Sequence, residues 1–312
     1  MPAYSPERPI RIGTRASPLA MAQAYETRDR LIAAHKLPAE AVVIVDMTTT
    51  GDRRIELKLG EIGGKGLFTK EVEESLIARD TDLAVHSMKD MPTVLPDGME
   101  ICTLLPREDV RDAFLSPKYS GIDDMPAGAL VGTASLRRQA QLLHRRPDLK
   151  VGLFRGNIQT RMRKLEDGEA DATFLAMAGL NRMGKADIAT ITLEPDEMLP
   201  AVAQGAIGIE IRSDNEDIRT MLAPLNCEAT QIRTTAERTF LNALDGSCRT
   251  PIAALAEIDG DKLTLRGEIL RPDGSERYST TREGTLSDAI AMGRDAGAEL
   301  RAKGGPDFFV GH

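Results

Sequence analysis

The sequence predicts an α/β protein of two similarly built lobes followed by a smaller α+β unit. Three observations carry that expectation. Short apolar runs stop at small polar residues, and each is followed by a segment of helical period. Two of these junctions, Gly13-Thr14-Arg15-Ala16-Ser17 and Gly132-Thr133-Ala134-Ser135, look alike. From about Asn226 the alternation gives way to a helix, then strands, then a last helix. At 312 residues the chain also exceeds the roughly 250–300 at which a single core stops growing.

In chain order, Pro9 to Gly13 reads as a strand, and Ser17-Pro18 places an N-cap serine before a proline at the first helical position, opening a helix toward His35. Ala41 to Asp46 and Leu83 to His86 are strands, the second running into Ser87-Met88-Lys89-Asp90-Met91-Pro92. Leu130 to Gly132 is a strand, Ser135 caps a helix that Pro147 stops, and Val151 to Phe154 is the next strand. Asn157 caps a helix ending near Gly168, and Ala172 to Ala176 is one more strand. The last unit has a helix over Ala229 to Leu244, strands separated by Pro272-Asp273-Gly274, and a helix over Ser287 to Arg301.

Composition narrows the function. A net charge of -8, no tryptophan and few aromatics speak against a nucleic-acid partner, which needs a basic surface and stacking side chains. No apolar run is long enough to span a bilayer, and Met1 to Pro9 does not read as a signal peptide. Cys102, Cys227 and Cys248 are odd in number and far apart, which argues for a reducing compartment and a cytoplasmic protein.

The charge is unevenly spread. Between Thr133 and Arg163 eight Lys or Arg face one acid, Asp148. Such a run is either a solvated helix face or a binding surface. The spacing favours the second reading, because Arg15 lies just before one helix start, Arg137 and Arg138 fall in the first turn of another, and Arg155 and Arg161 flank a third. Helix starts point free N–H groups and a positive dipole end outward, so a cation there is disfavoured by a few tenths to about 1 kcal/mol unless an anion offsets it. Arginine's fixed fork suits a planar carboxylate. Either the protein's own Asp and Glu supply those carboxylates or a polyanionic ligand does.

Familiar catalytic templates fail. Gly63-Gly64-Lys65-Gly66 lacks the earlier glycine and the Ser or Thr of a phosphate loop, leaving a glycine-rich loop with one cation. The four histidines show no metal-ligand spacing, so no metal is expected. Asp90 is a turn residue or a reactive carboxylate. Cys248, in Asp245-Gly246-Ser247-Cys248-Arg249, is an inert small residue, a nucleophile or an attachment point, with Arg249 favouring its thiolate.

These segments together resemble the porphobilinogen deaminases of tetrapyrrole biosynthesis. The resemblance spans nearly the whole chain. It rests on Arg11-Ile12-Gly13-Thr14-Arg15-Ala16-Ser17-Pro18-Leu19-Ala20, Gly63-Gly64-Lys65-Gly66-Leu67-Phe68, His86-Ser87-Met88-Lys89-Asp90, Gly132-Thr133-Ala134-Ser135-Leu136-Arg137-Arg138-Gln139, Leu153-Phe154-Arg155-Gly156-Asn157, Leu199-Pro200-Ala201-Val202-Ala203-Gln204-Gly205 and the Cys248 loop.

The resemblance implies that four porphobilinogen molecules are joined head to tail with loss of ammonia, and that water releases linear hydroxymethylbilane. It implies a dipyrromethane cofactor held by a thioether at Cys248. By motif position Lys89, Thr133, Ser135, Arg137, Arg138, Arg155 and Asp90 would bind that cofactor. Arg15, Ser17, Gln23, Lys65, Arg161, Arg182 and Gln204 would serve the substrate or growing chain. Asp90 would be the catalytic residue, stabilising an electrophilic azafulvene and a cationic pyrrole nitrogen and moving a proton in each cycle.

The family's fold implies two lobes resembling periplasmic binding proteins, with crossovers near Leu105 to Asp109 and Pro195 to Ala203. Lobe 1 would comprise residues 1–105 and 204–225, lobe 2 residues 106–203, and a cofactor-attachment domain residues 226–312. A monomer is implied. Two positions depart from the family pattern: Glu61, where some relatives have a basic residue, and Ser247, where glycine is frequent. The rival reading is a non-catalytic binding or sensing protein for a polycarboxylate, since paired lobes around a cleft also build such proteins.

Overall fold

A computed structural model describes residues 4–49, 69–247 and 250–309. These fall into two compact units. The first contains residues 4–49, 69–108 and 206–231; the second contains 109–205, 232–247 and 250–309.

In the first unit β1 (Ile10–Arg15) lies parallel to β2 (Val42–Met47) and to β3 (Leu83–Ser87). The late strand β10 (Ile207–Arg212) runs antiparallel between β3 and β4 (Met99–Leu104), giving the order β2-β1-β3-β10-β4. The second unit repeats this plan. Here β6 (Leu130–Gly132) is parallel to β7 (Lys150–Gly152) and β8 (Ala172–Ala176). The early strand β5 (Asp112–Leu115) is antiparallel between β8 and β9 (Ile191–Leu193), giving β7-β6-β8-β5-β9. The likeness of the two Gly-Thr junctions in the sequence therefore reflects equivalent places, the ends of β1 and β6.

Helix starts follow their caps. The helix α1 (Pro18–His35) begins where Ser17 Oγ accepts from Ala20 N, with Pro18 at the first helical position, and ends at Lys36 in the left-handed conformation. After α2 (Lys70–Ile77), α3 (Leu136–Arg145) is capped by Ser135 Oγ accepting from Arg138 N, and it closes at Arg146, one residue before Pro147. Asn157 caps α4 (Ile158–Glu166) through Thr160 N. The short α5 (Met177–Arg182) leaves the end of β8, and α6 (Glu216–Leu222) follows β10.

Both faces of the second sheet are covered, so its strands read as unbroken apolar runs. Phe114 and Phe174 point into one cluster with Val131 and Leu142, while their neighbours Ala113, Leu115 and Leu175 point into another with Phe154 and Leu165. One expected strand is corrected. Val151 to Phe154 is expected to be extended, but β7 spans Lys150–Gly152, because its partner β6 ends at Gly132, which pairs with Gly152. The strands β4, β5, β9 and β10 are additions to the sequence reading.

The third element set is an antiparallel meander, β11 (Ile252–Asp259), β12 (Lys262–Leu270) and β13 (Arg277–Thr285), with α7 (Glu228–Ala243) and α8 (Ala289–Gly304). The turn at Pro272-Asp273-Gly274 joins β12 to β13 as expected. Gly293 and Gly297 let α8 approach α7 closely: a Cβ at Gly297 would lie 2.9 Å from Phe240 O.

Candidate functional site

The carboxyl edge of each parallel strand triplet collects the residues singled out in the sequence, where ligands of open α/β sheets ordinarily bind. In the first unit Arg15 ends β1 and Ser17 caps α1, while β3 ends at Ser87 and turns through the one-turn 3₁₀ helix Met88–Asp90. Since β1 and β3 are parallel neighbours, these ends share one edge of the sheet. Gln23 ties them together: its Nε2 donates to Ser87 Oγ at 2.9 Å, and the Ser87 hydroxyl is 3.1 Å from Gln23 Oε1. Arg15, Lys89 and Asp90 are all partly exposed at this edge. A Cβ at Gly208 of β10 would collide with Met88, so glycine there allows the turn carrying Lys89 and Asp90 to seat on the sheet.

The second unit concentrates cations. Arg137 and Arg138, in the first turn of α3, are buried and converge on one fully buried carboxylate, Asp112, at the start of β5. Arg137 Nη2 donates to Asp112 Oδ2 at 2.7 Å and Arg138 Nη2 to Asp112 Oδ1 at 2.7 Å. Arg137 Nη1 also donates to Leu199 O at 2.8 Å, and Arg138 Nη1 to Phe174 O at 2.9 Å. The Nε atoms of both arginines are buried without a hydrogen-bond partner. Burial alone would raise the Asp112 pKa, but the guanidiniums of Arg137 and Arg138 overcome it and hold the carboxyl well below the usual range.

Arg155 is 9% exposed, and burial lowers its pKa. Arg161 is brought down to about 10, first by burial and then by the neighbouring charges of Arg138 and Arg155. The Nε of Arg161 donates to Gly156 O at 2.9 Å. Arg182 Nη2 donates to Gly205 O at 3.1 Å. The two hydroxyls are half used: Thr133 Oγ1 accepts from Ser135 N at 3.1 Å and Ser135 Oγ caps α3, which leaves each O–H free to donate to an incoming anion.

The basic run thus divides. Arg145 and Arg146 pair with Asp123, Glu197 and Asp148 at the surface, the solvated-face reading. For Arg137 and Arg138 the protein does supply a carboxylate, but one between two guanidiniums. Arg137 and Arg138 thus place two buried guanidiniums on one carboxylate, a local surplus of positive charge that a bound anion would stabilise. That surplus, with the orphaned Nε atoms, fits a ligand bearing several carboxylates.

Asp112 was missed in the sequence reading. Its signal was an acid heading the apolar run Ala113-Phe114-Leu115, a place where a carboxylate is buried and needs cationic partners. Gln204, expected to meet substrate, is 1% exposed and donates to Val110 O at 2.7 Å and to Asp112 Oδ1 at 3.0 Å. Lys65, Cys248 and the two departures' Glu61 lie outside the described residues, whereas Ser247 is described: its N donates to Thr250 Oγ1 at 2.9 Å.

Two family models match the chain: the porphobilinogen deaminase dipyrromethane cofactor-binding domain over residues 10–220 and the porphobilinogen deaminase C-terminal domain over residues 231–302. A porphobilinogen deaminase of Paracoccus denitrificans is 60% identical over 304 residues, 97% of this chain and 97% of its own length. Another from Nitrobacter hamburgensis is 55% identical over 299 residues, covering 96% of this chain and 95% of that protein. Among solved structures, a periplasmic substrate-binding protein of an ABC transporter from Coxiella burnetii aligns with a TM-score of 0.42 at 15% identity, covering 71% of this chain and 94% of that one.

Proposed function

The chain belongs to the porphobilinogen deaminase family, and from that premise we propose how its own residues divide the work. It is a transferase that condenses porphobilinogen molecules head to tail with loss of ammonia and releases hydroxymethylbilane by hydrolysis. The reading as a mere binder of polycarboxylates is not favoured. The observation that supports the division of roles is the pair of buried guanidiniums, Arg137 and Arg138, that share the Asp112 carboxylate.

Arg137, Arg138 and Arg155, with the hydroxyl protons of Thr133 and Ser135 and with Lys89, hold the carboxylates of the dipyrromethane cofactor, which Cys248 binds covalently. When bound, that group supplies the terminal pyrrole onto which each new unit is joined. Arg161 and Arg182, together with Arg15, Ser17, Gln23, Lys65 and Gln204, orient the acetate and propionate of the incoming substrate. Gln204 does so indirectly, by holding Asp112. Arginine forks suit this task because two parallel hydrogen bonds fix the plane of a carboxylate as well as its position.

Asp90 carries the chemistry. Loss of ammonia from the aminomethyl carbon of porphobilinogen spreads positive charge onto its pyrrole nitrogen, and a carboxylate beside that nitrogen lowers the barrier. Joining the next unit then releases the proton from the α-carbon attacked, and Asp90 accepts it as general base. We assign residues 1–105 and 204–225 to lobe 1, 106–203 to lobe 2 and 226–312 to the attachment domain. The protein acts as a cytoplasmic monomer, a reading that its three cysteines, odd in number and far apart in sequence, support.

Intact mass tests the assignment. The wild-type chain is expected to exceed its sequence mass by two pyrrole units, and Cys248→Ser to show no excess. An unmodified wild-type chain that releases no ammonia from porphobilinogen would remove it.

A further inference from the structure

Consecutive residues on a helix point about 100° apart, so Arg137 and Arg138 have no intrinsic reason to aim at one spot. They do so because Asp112, delivered by β5, sits beside the start of α3 and gives each guanidinium its own oxygen: Oδ2 to Arg137 and Oδ1 to Arg138, both at 2.7 Å. Gln204 Nε2, 3.0 Å from Oδ1, and its bond to Val110 O fix the carboxylate from the side of the chain that leaves toward β10. Each guanidinium is held a second time by a carbonyl, Leu199 O or Phe174 O. Asp112, Arg137, Arg138 and Gln204 are all buried, and their bonds link elements far apart in sequence.

A carboxylate used only to neutralise charge would balance one arginine. Here it spans two, giving one oxygen to each guanidinium. Resting on the assignment of Arg137 and Arg138 to the cofactor carboxylates, we propose that Asp112, braced by Gln204, is a positioning residue that sets the spacing of those two guanidiniums before the cofactor is loaded. It touches neither substrate nor cofactor. Its effect is preorganisation: the forks are already ordered when the carboxylates arrive, so binding does not spend its free energy on ordering them.

The test follows loading rather than turnover. The full chain, made in cells unable to form porphobilinogen, is incubated with porphobilinogen and its gain of pyrrole mass is timed. Asp112→Asn is expected to load at least tenfold more slowly and to need a higher half-saturating concentration. Alkylation of Cys248 by iodoacetamide, which needs the loop but not the arginines, is expected at the wild-type rate. Loading of Asp112→Asn at the wild-type rate overturns the proposal, as does a slowing matched by equal loss of alkylation. If Asp112→Asn shows no cooperative unfolding, Asp112→Glu decides. It keeps the charge and displaces it by one methylene, so loading several-fold slower is expected and the wild-type rate overturns the proposal. Failure of the wild-type chain itself to gain mass would count against the functional assignment instead.

Discussion

Gln23 and Ser87 hold each other by a reciprocal pair of hydrogen bonds, 2.9 Å and 3.1 Å, across 64 residues of chain. This contact joins the first helix, which begins beside Arg15, to the end of the strand from which the turn carrying Lys89 and Asp90 leaves. Gln23 is buried and Ser87 partly so. Replacing Gln23 by leucine removes both bonds and costs about 1 kcal/mol of stability. Chemical denaturation of Gln23→Leu is expected to show that loss, and steady-state kinetics a higher KM for porphobilinogen. Wild-type values of both would mean that the two strand ends are set independently of this bond.

Asp90→Asn removes the carboxylate and keeps the shape of the side chain. Since the covalent group depends on Cys248 and on the arginines of the second unit, the two-pyrrole mass is expected to persist. Turnover is expected to fall by about 10²–10³-fold or more, the range for losing a preorganised electrostatic group. Mass spectrometry with an ammonia-release assay separates the effects, and turnover near wild type would take Asp90 out of the mechanism.

Much of this arrangement was legible because it is local. Ser17, Ser135 and Asn157 each announce a helix start through a side chain that accepts from the backbone three residues on, and all three serve as caps. The arginines were visible for the same reason, being placed relative to those starts. What pairing partner an arginine meets is a long-range matter. Asp112 lies 25 residues before Arg137, on a strand antiparallel to its neighbours, and the periodicity of either segment does not reveal that they meet. β10 was hidden likewise, since it joins a sheet built mostly from a distant stretch of chain. The inward packing of Phe154 depends on the absence of a side chain at Gly132.

That absence can be tested. A Cβ at Gly132 would lie 2.5, 2.7 and 2.8 Å from Phe154 atoms, too close to be absorbed without moving the ring. Phe154 precedes Arg155, so Gly132→Ala is expected to cost about 1–3 kcal/mol by overpacking and to displace that guanidinium. Pyrrole loading should slow in Gly132→Ala and recover in Gly132→Ala/Phe154→Leu, where the smaller side chain makes room. A double variant no better than the single one would place the defect elsewhere than in this contact.

Arg161 carries a pH dependence of definite sign. Its pKa falls from the ordinary guanidinium value to about 10 in the folded chain, chiefly through burial and then through Arg138 and Arg155. Between those values the unfolded chain binds more protons than the folded one, so the stability of the ligand-free chain rises with pH across that window, relative to Arg161→Gln. A bound carboxylate works in the opposite direction, because it favours the charged guanidinium and is held less well once the proton has gone. Succinate, which has no group titrating in this range, serves as the probe. The rise in thermal midpoint that it produces in the full chain is expected to shrink as pH approaches and passes about 10. In Arg161→Gln the rise should be smaller throughout and flat over the same interval. A succinate effect that stays constant through that pH in the wild type would separate Arg161 from carboxylate binding.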